Sequence, residues 1–141
     1  MDPWHDRNML TLGRWSLQLA PGWQAEIDEG CACVTGPDGL GVLLISHAQR
    51  SQTPVAREEL SRLASAELPA SADAGSCRMG DFDGLHATYV EGGQRWHRFY
   101  LGFGTLLLLV TYTVELAHDG SEDDAVIGML RTLRARGDRW E

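Results

Sequence analysis

The segment from Leu85 to Leu116 reads LHATYVEGGQRWHRFYLGFGTLLLLVTYTVEL, and its glycines decide the fold. Gly92-Gly93 and Gly104 are turn signals. Between them, Leu85–Glu91, Gln94–Phe103 and Thr105–Leu116 read as three successive strands joined by short turns, the arrangement of an antiparallel sheet. Leu106 to Val110 is apolar without alternation, so this strand should be central and covered on both faces.

Working backwards, Cys77–Phe82 reads as a further strand, with Asp83-Gly84 as its hairpin turn. Ala70 to Ser76 is small and polar, a mobile connector. Before Pro69, Val55, Leu60, Leu63 and Ala64 form the inward stripe of a helix, with Arg57, Glu58 and Arg62 outward. Thr53-Pro54 suits its start. Leu40–His47 is a strand whose run Val42-Leu43-Leu44-Ile45 suggests burial on both faces. Gly36-Pro37-Asp38-Gly39 turns it back to Cys31–Thr35, and Glu29-Gly30 bends that strand onto Trp23–Ile27. Arg14 opens the first strand, with Trp15, Leu17 and Leu19 on one side, and Pro21-Gly22 ends it. Trp23 reads as a core plug at the sheet end. At the other terminus, Ser121-Glu122-Asp123-Asp124 reads as a capping box opening a helix with Val126, Met129, Leu130 and Leu133 as its stripe. Arg131, Arg134 and Arg136 suit its end, and Gly137 stops it. The expectation is one α+β domain over 14–137, with a loose arm at 1–13 and a short tail at 138–141. It has a mostly antiparallel sheet of seven or eight strands and two packed helices, in the order β-β-β-β-α-β-β-β-β-α.

The chain has 141 residues and a formal charge of −8, and all 12 of its basic residues are arginine. Without lysine there is no Schiff-base catalysis and no P-loop. The acidic balance argues against nucleic acid as a partner and for a protein partner. The first residues lack the basic and apolar regions of a signal peptide, and no apolar run approaches the ~20 residues that span a bilayer. Together with three cysteines, Cys31, Cys33 and Cys77, an odd count suited to a reducing compartment, this leads to the expectation of a bacterial cytoplasmic protein. Cys31 and Cys33 should share a strand face, too far apart along it for a disulfide.

Neither a metal nor a cofactor is expected. The cysteines lack paired zinc-ligand spacing, and Gly102-Phe103-Gly104 lacks the third glycine of a dinucleotide fingerprint. Asp119–Asp124 departs from a calcium loop at its sixth and twelfth positions, Asp124 and Leu130. No catalytic motif is present, so enzymatic activity is not the leading expectation.

The candidate contact residues are Arg95, Trp96, His97, Arg98 and Tyr100. Trp, Tyr and Arg dominate binding hot spots. Alternation puts Arg95 and His97 on one face of the strand and Trp96, Arg98 and Tyr100 on the other. The opening RWSLQLAPGWQAE, with its Pro-Gly-Trp turn, and the order of elements resemble the PsbP-like fold, which includes the bacterial DcrB-like proteins. That resemblance implies no shared catalytic residues. Some bacterial relatives act as adaptors or chaperones for secreted effectors, often as dimers, and this branch is the closer analogy for a chain without a lipidation signal. The leading functional expectation is thus a protein-binding module, an adaptor or an immunity-type protein. The alternatives are a homodimer, and a small-ligand binder or weak enzyme with a pocket between sheet and helix near His47, His86 or His97.

Overall fold

The computed structural model describes residues 8–49 and 53–136. In chain order, β1 (Met9–Leu12), β2 (Trp15–Gln18), β3 (Gln24–Asp28), β4 (Cys31–Thr35) and β5 (Gly41–Gln49) precede helix α1 (Arg57–Glu67). Then follow β6 (Asp73–Met79), β7 (Phe82–Glu91), β8 (Gln94–Phe103) and β9 (Leu106–Glu115). A 3₁₀ turn (Leu116–His118), helix α2 (Asp123–Leu130) and the two-residue β10 (Arg134–Ala135) complete the described elements. The architecture is α+β, with a seven-stranded sheet in the order β3-β4-β5-β9-β8-β7-β6 and a small sheet in the order β1-β2-β10. Every pairing in both sheets is antiparallel.

The large sheet has two unlike faces. On one, Val34, Leu43, Ile45, Phe99, Leu101, Leu108, Val110 and Tyr112 point into the main core. Trp15 and Leu17 from β2, and Val126, Met129 and Leu130 from α2, close over them. On the other, α1 lays Leu60 and Ala64 against Tyr100 and Leu107, with Leu63, Leu85 and Leu109 around them. As its unbroken apolar run predicts, β9 is buried on both faces through Leu106, Leu107 and Leu108. Trp23 is a core residue at 8% exposure.

Several expectations are corrected. Residues 9–12 are not part of a loose arm: they pair with β2 as β1, and Leu10 enters the core. Met1 to Arg7, and Gly137 with the tail at 138–141, lie outside the described residues. The connector at 70–76 ends early, because β6 begins at Asp73 and pairs along β7. Helix α1 starts at Arg57, and its N-cap, Ala56, offers no side-chain hydrogen bond, so Thr53 does not cap it. The last helix ends at Leu130, and Arg134–Ala135 instead add an edge strand to β2. The capping box does not form, since no side chain caps α2. Glu122 turns inward to accept hydrogen bonds from the Tyr112 hydroxyl at 2.6 Å and the Gly41 amide at 3.1 Å.

Asp83-Gly84 is not a turn. The β6–β7 turn lies three residues earlier, at Gly80-Asp81, where Gly80 has φ +60° and a Cβ would run into the Leu133 carbonyl. Gly84 is inside β7, where a Cβ would strike the Tyr100 carbonyl of the paired strand. A glycine within a strand marks such close backbone approach. Gly84→Ala should therefore lower unfolding stability by about 2 kcal/mol or more. Gly75→Ala, on edge strand β6 with nothing within 4 Å of its Cβ, should change it by less than about 1 kcal/mol. Urea denaturation of the two variants checks this; equal losses would contradict it.

Candidate functional site

Strand β8 carries the candidate contact residues, and the register divides them. Trp96, Arg98 and Tyr100 stand opposite Thr113, Thr111 and Leu109 of β9 on the α1 side. Arg95 and His97 stand opposite Val114 and Tyr112, on the main-core side. The five residues thus do not form one surface.

On the α1 side the three residues are locked together. Arg98 Nη1 donates to Glu67 Oε1 at 2.9 Å, and the Tyr100 hydroxyl donates to the same oxygen at 2.9 Å. Glu67 is the last residue of α1, so the network fixes the helix end to the sheet. Burial, opposed by the Arg98 guanidinium, pushes the Tyr100 phenol up to about 12. It stays a hydroxyl donor at neutral pH. The Arg98 guanidinium also lies 5.9 Å from the centre of the Trp96 ring, and Trp96 stacks on Tyr89 at 5.9 Å between centroids. Next to this cluster a groove of about 230 Å3 runs between the end of α1 and the sheet, lined by Cys31, Leu44, Ser46, Leu109 and Thr111 among others.

Beyond the groove no described residue packs on the sheet face. Helix α1 covers only the β7–β8 side, so the run Val42–Ile45 is buried on one face and not on both. Leu43 and Ile45 have no exposure, while Val42 is 37% exposed and Leu44 40%. Rows across this face follow from the pairings, one running Glu26, Cys33, Leu44, Thr111, Arg98. Cys31 and Cys33 share the face, as alternation requires, and all three cysteines are free thiols. Sequence reasoning missed Glu67, Val42 and Leu44. The signal for the last two was the same apolar run, which cannot say whether a helix lies over both sides.

On the main-core side, Arg95 donates to Asp119 Oδ2 at 3.1 Å and to Thr88 Oγ1 at 3.4 Å. His97 and His86 share a hydrogen bond of 3.0 Å between Nδ1 and Nε2. His86 also stacks on Phe99 at 4.3 Å. Burial, and then the neighbouring His97, push His86 down to about 4. Burial also lowers His97, against the pull of Asp123, and its Nε2 is buried without a partner. The pair is held neutral in the folded chain. His47 is likewise structural, accepting from the Trp15 indole at 3.2 Å. A cleft of about 420 Å3 does exist between sheet and helix, at the start of α1, but its lining of Val55, Leu60, Phe103, Arg57, Arg78 and neighbours includes no histidine. Among the described residues no group of three or more His, Cys, Asp or Glu side chains is placed to hold a metal ion.

The observed order differs from the expected β-β-β-β-α-β-β-β-β-α by one added strand at each end, β1 and β10. A crystal structure of a protein from Bacteroides thetaiotaomicron VPI-5482 aligns over 88% of this chain at 22% identity and a TM-score of 0.64. What the two share is a fold. The chain spans less than half of that protein, 46% of its length. The solution structure of cyanobacterial PsbP (CyanoP) from Synechocystis sp. PCC 6803 aligns over 86% of each chain at 9% identity and a TM-score of 0.42, too distant to bear on function. No protein-family model matches the chain, and no curated protein does.

The histidine pair makes stability depend on pH. A histidine whose pKa is depressed by folding binds its proton more readily in the unfolded chain. Its contribution is complete above the unfolded value near 6.5 and falls away as pH drops toward about 4. The melting temperature should fall between pH 6.5 and 4.5, and less steeply in His86→Phe. Thermal melts across that window test this; parallel curves for the two proteins would refute it.

Proposed function

We propose that the chain is a non-enzymatic protein-binding module that works through the bare half of its large sheet. The roles that suit such a module are an adaptor or chaperone for a secreted effector, or an immunity-type protein, in a bacterial cytoplasm. One observation carries the reading. Val42 and Leu44 stand exposed at 37% and 40% beside a preorganised Trp96–Arg98–Tyr100–Glu67 cluster. Exposed apolar surface next to fixed Trp and Arg side chains is the composition of binding hot spots, whereas Tyr100, 2% exposed and packed under α1, braces them and does not itself meet a partner. The cluster is already held by hydrogen bonds, so little side-chain entropy remains to be lost on binding. Three free thiols suit a reducing compartment, and no helix among the described residues is long and apolar enough to cross a membrane.

A second reading rests on the cleft at the start of α1. Its walls combine apolar Val55, Leu60 and Phe103 with Arg57 and Arg78, and its size lies in the range of small-molecule sites.

Affinity capture from the source organism's lysate tests the first reading. One stoichiometric partner protein should be retained by the wild-type chain and lost by the Trp96→Ala/Arg98→Ala double variant. With the purified partner, either single substitution should cost about 2 kcal/mol, roughly thirtyfold in Kd. Unchanged binding by folded variants would remove the site assignment.

A further inference from the structure

We infer that the cleft at the start of α1 takes a small monoanion, a carboxylic acid with a compact apolar body, and that Arg57 anchors it. The inference rests on the second reading above, that this cleft is a small-molecule site, and names the chemical class of its ligand.

The segment entering α1 builds the cleft by tying itself to the end of the sheet. The Val55 amide donates to the Gly104 carbonyl at 2.8 Å. The Val55 side chain sits against Gly102, where a Cβ would meet it at 3.0 Å. Leu60, more than a turn further on, is buried in the contact between α1 and the sheet. The space that these residues border is about 420 Å3, within the range of small-molecule sites. Phe103 adds to its apolar wall. That ring meets Phe82 at 5.9 Å between centroids and is still 42% exposed, so an apolar ligand body has aromatic surface to cover.

Charge sets the rest. The charged side chains in the lining are Arg57, Arg78, Asp81 and Asp83, and three of them are matched. Arg78 and Asp83 form an ion pair at 3.1 Å. Asp81 accepts from the Ala135 amide at 3.0 Å and lies 3.8 Å from Arg134. Arg57 differs. Its side-chain partner among the described residues is neutral, the Ser76 hydroxyl, to which Nη1 donates at 3.2 Å. Nε and Nη2 are left, an edge of two donors that suits the paired oxygens of a carboxylate. Glu58 and Glu59, the acids of the first turn, are not in the lining, because residues one and two apart on a helix do not face the same way.

The same inventory limits the ligand to a single negative charge. One unmatched cation favours one anionic group, and a second would face the carboxylates of Asp81 and Asp83, where like charges repel. The cleft should therefore select a monoanion over both the neutral and the dianionic molecule of the same shape. Arg57 is exposed, so water competes for it and the affinity is modest: a Kd on the order of 1 mM for an acid the size of two fused rings.

Amide NMR titration with naphthoate, the neutral naphthamide and a dianionic naphthalenedicarboxylate tests the inference. Naphthoate should shift the amides of Gly84, Gly102 and Gly104, which line the cleft, and the shifts should saturate. The naphthamide and the dicarboxylate should each bind about tenfold more weakly. Arg57→Gln should weaken naphthoate about tenfold and leave naphthamide unchanged, whereas Arg62→Gln, the same loss of charge elsewhere on α1, should change neither. Ser76→Ala frees Nη1 and should bind naphthoate at least as tightly as wild type. The dispersion of each variant's spectrum verifies its fold. A tenfold loss in Ser76→Ala would mean that Arg57 only braces the helix against β6, and would overturn the inference. Equal binding of naphthoate and naphthamide by the wild type, or of naphthoate by wild type and folded Arg57→Gln, would overturn it too, while saturable shifts at the three glycines upheld the cleft as a small-molecule site. No shift at those amides with any of the three ligands would remove both readings.

Discussion

The governing constraint is one of coverage. A seven-stranded sheet is about 30 Å across, and each of its faces must be sealed or left to water. This chain seals one face with β1, β2, β10 and α2. For the other, the described residues supply only α1, 11 residues or about 16 Å long, and a helix about 10 Å wide covers roughly two strands. It covers β7, β8 and, through Leu107 and Leu109, part of β9. Strands β5, β4 and β3 are left over, and the exposure of Val42 and Leu44 follows from this.

The sealed face is fastened by a buried carboxylate. Glu122 is 8% exposed and joins α2 to β9 through Tyr112 and to the start of β5 through Gly41. Burial, and then the Glu122 hydrogen bond, raise the Tyr112 phenol, which keeps its proton and hence its donor role. The N-cap of α2 falls on Glu122, one residue after Ser121, so Ser121 and Asp124 do not stand in the N-cap and N3 positions that a capping box needs. Asp123 and Asp124 remain in the first turn, where the helix dipole favours them without any cap. The space for Glu122 is kept by Gly36, where a Cβ would lie 2.9 Å from both the carboxylate and the Trp23 ring.

The three-strand meander β7–β8–β9 was legible because its glycine turns and its apolar run are local signals, and its boundaries agree with the reading to within a residue or two at most ends. What was not legible depends on tertiary neighbours. A glycine that allows a turn and one that admits a neighbouring backbone look alike, so Gly84 was given the role of Gly80. Residues 9–12 and Arg134–Ala135 are strands only because β2 lies between them with both edges available. Of the candidate site, the types and alternation in β8 were readable from Arg95 to Tyr100, and so was the division into two faces. Glu67 was not: its place beside Arg98 comes from α1 crossing the sheet, 31 residues away in sequence.

Strand β8 shows how one alternating sequence serves two environments. Its polar residues on the sealed side are satisfied mostly within the fold. His97 is paired with His86 and Arg95 with Asp119 and Thr88, and partial burial disfavours the charged form of both imidazoles. On the other side Arg98 keeps its charge but is only partly matched by Glu67, and Trp96 is only partly covered by Tyr89. The same residue types thus have opposite meanings two positions apart. Where the chain supplies the layer above, a histidine or arginine is a structural group; where it supplies none, the unmatched donors of Arg98 and the bare methyls of Val42 and Leu44 describe the layer that is missing.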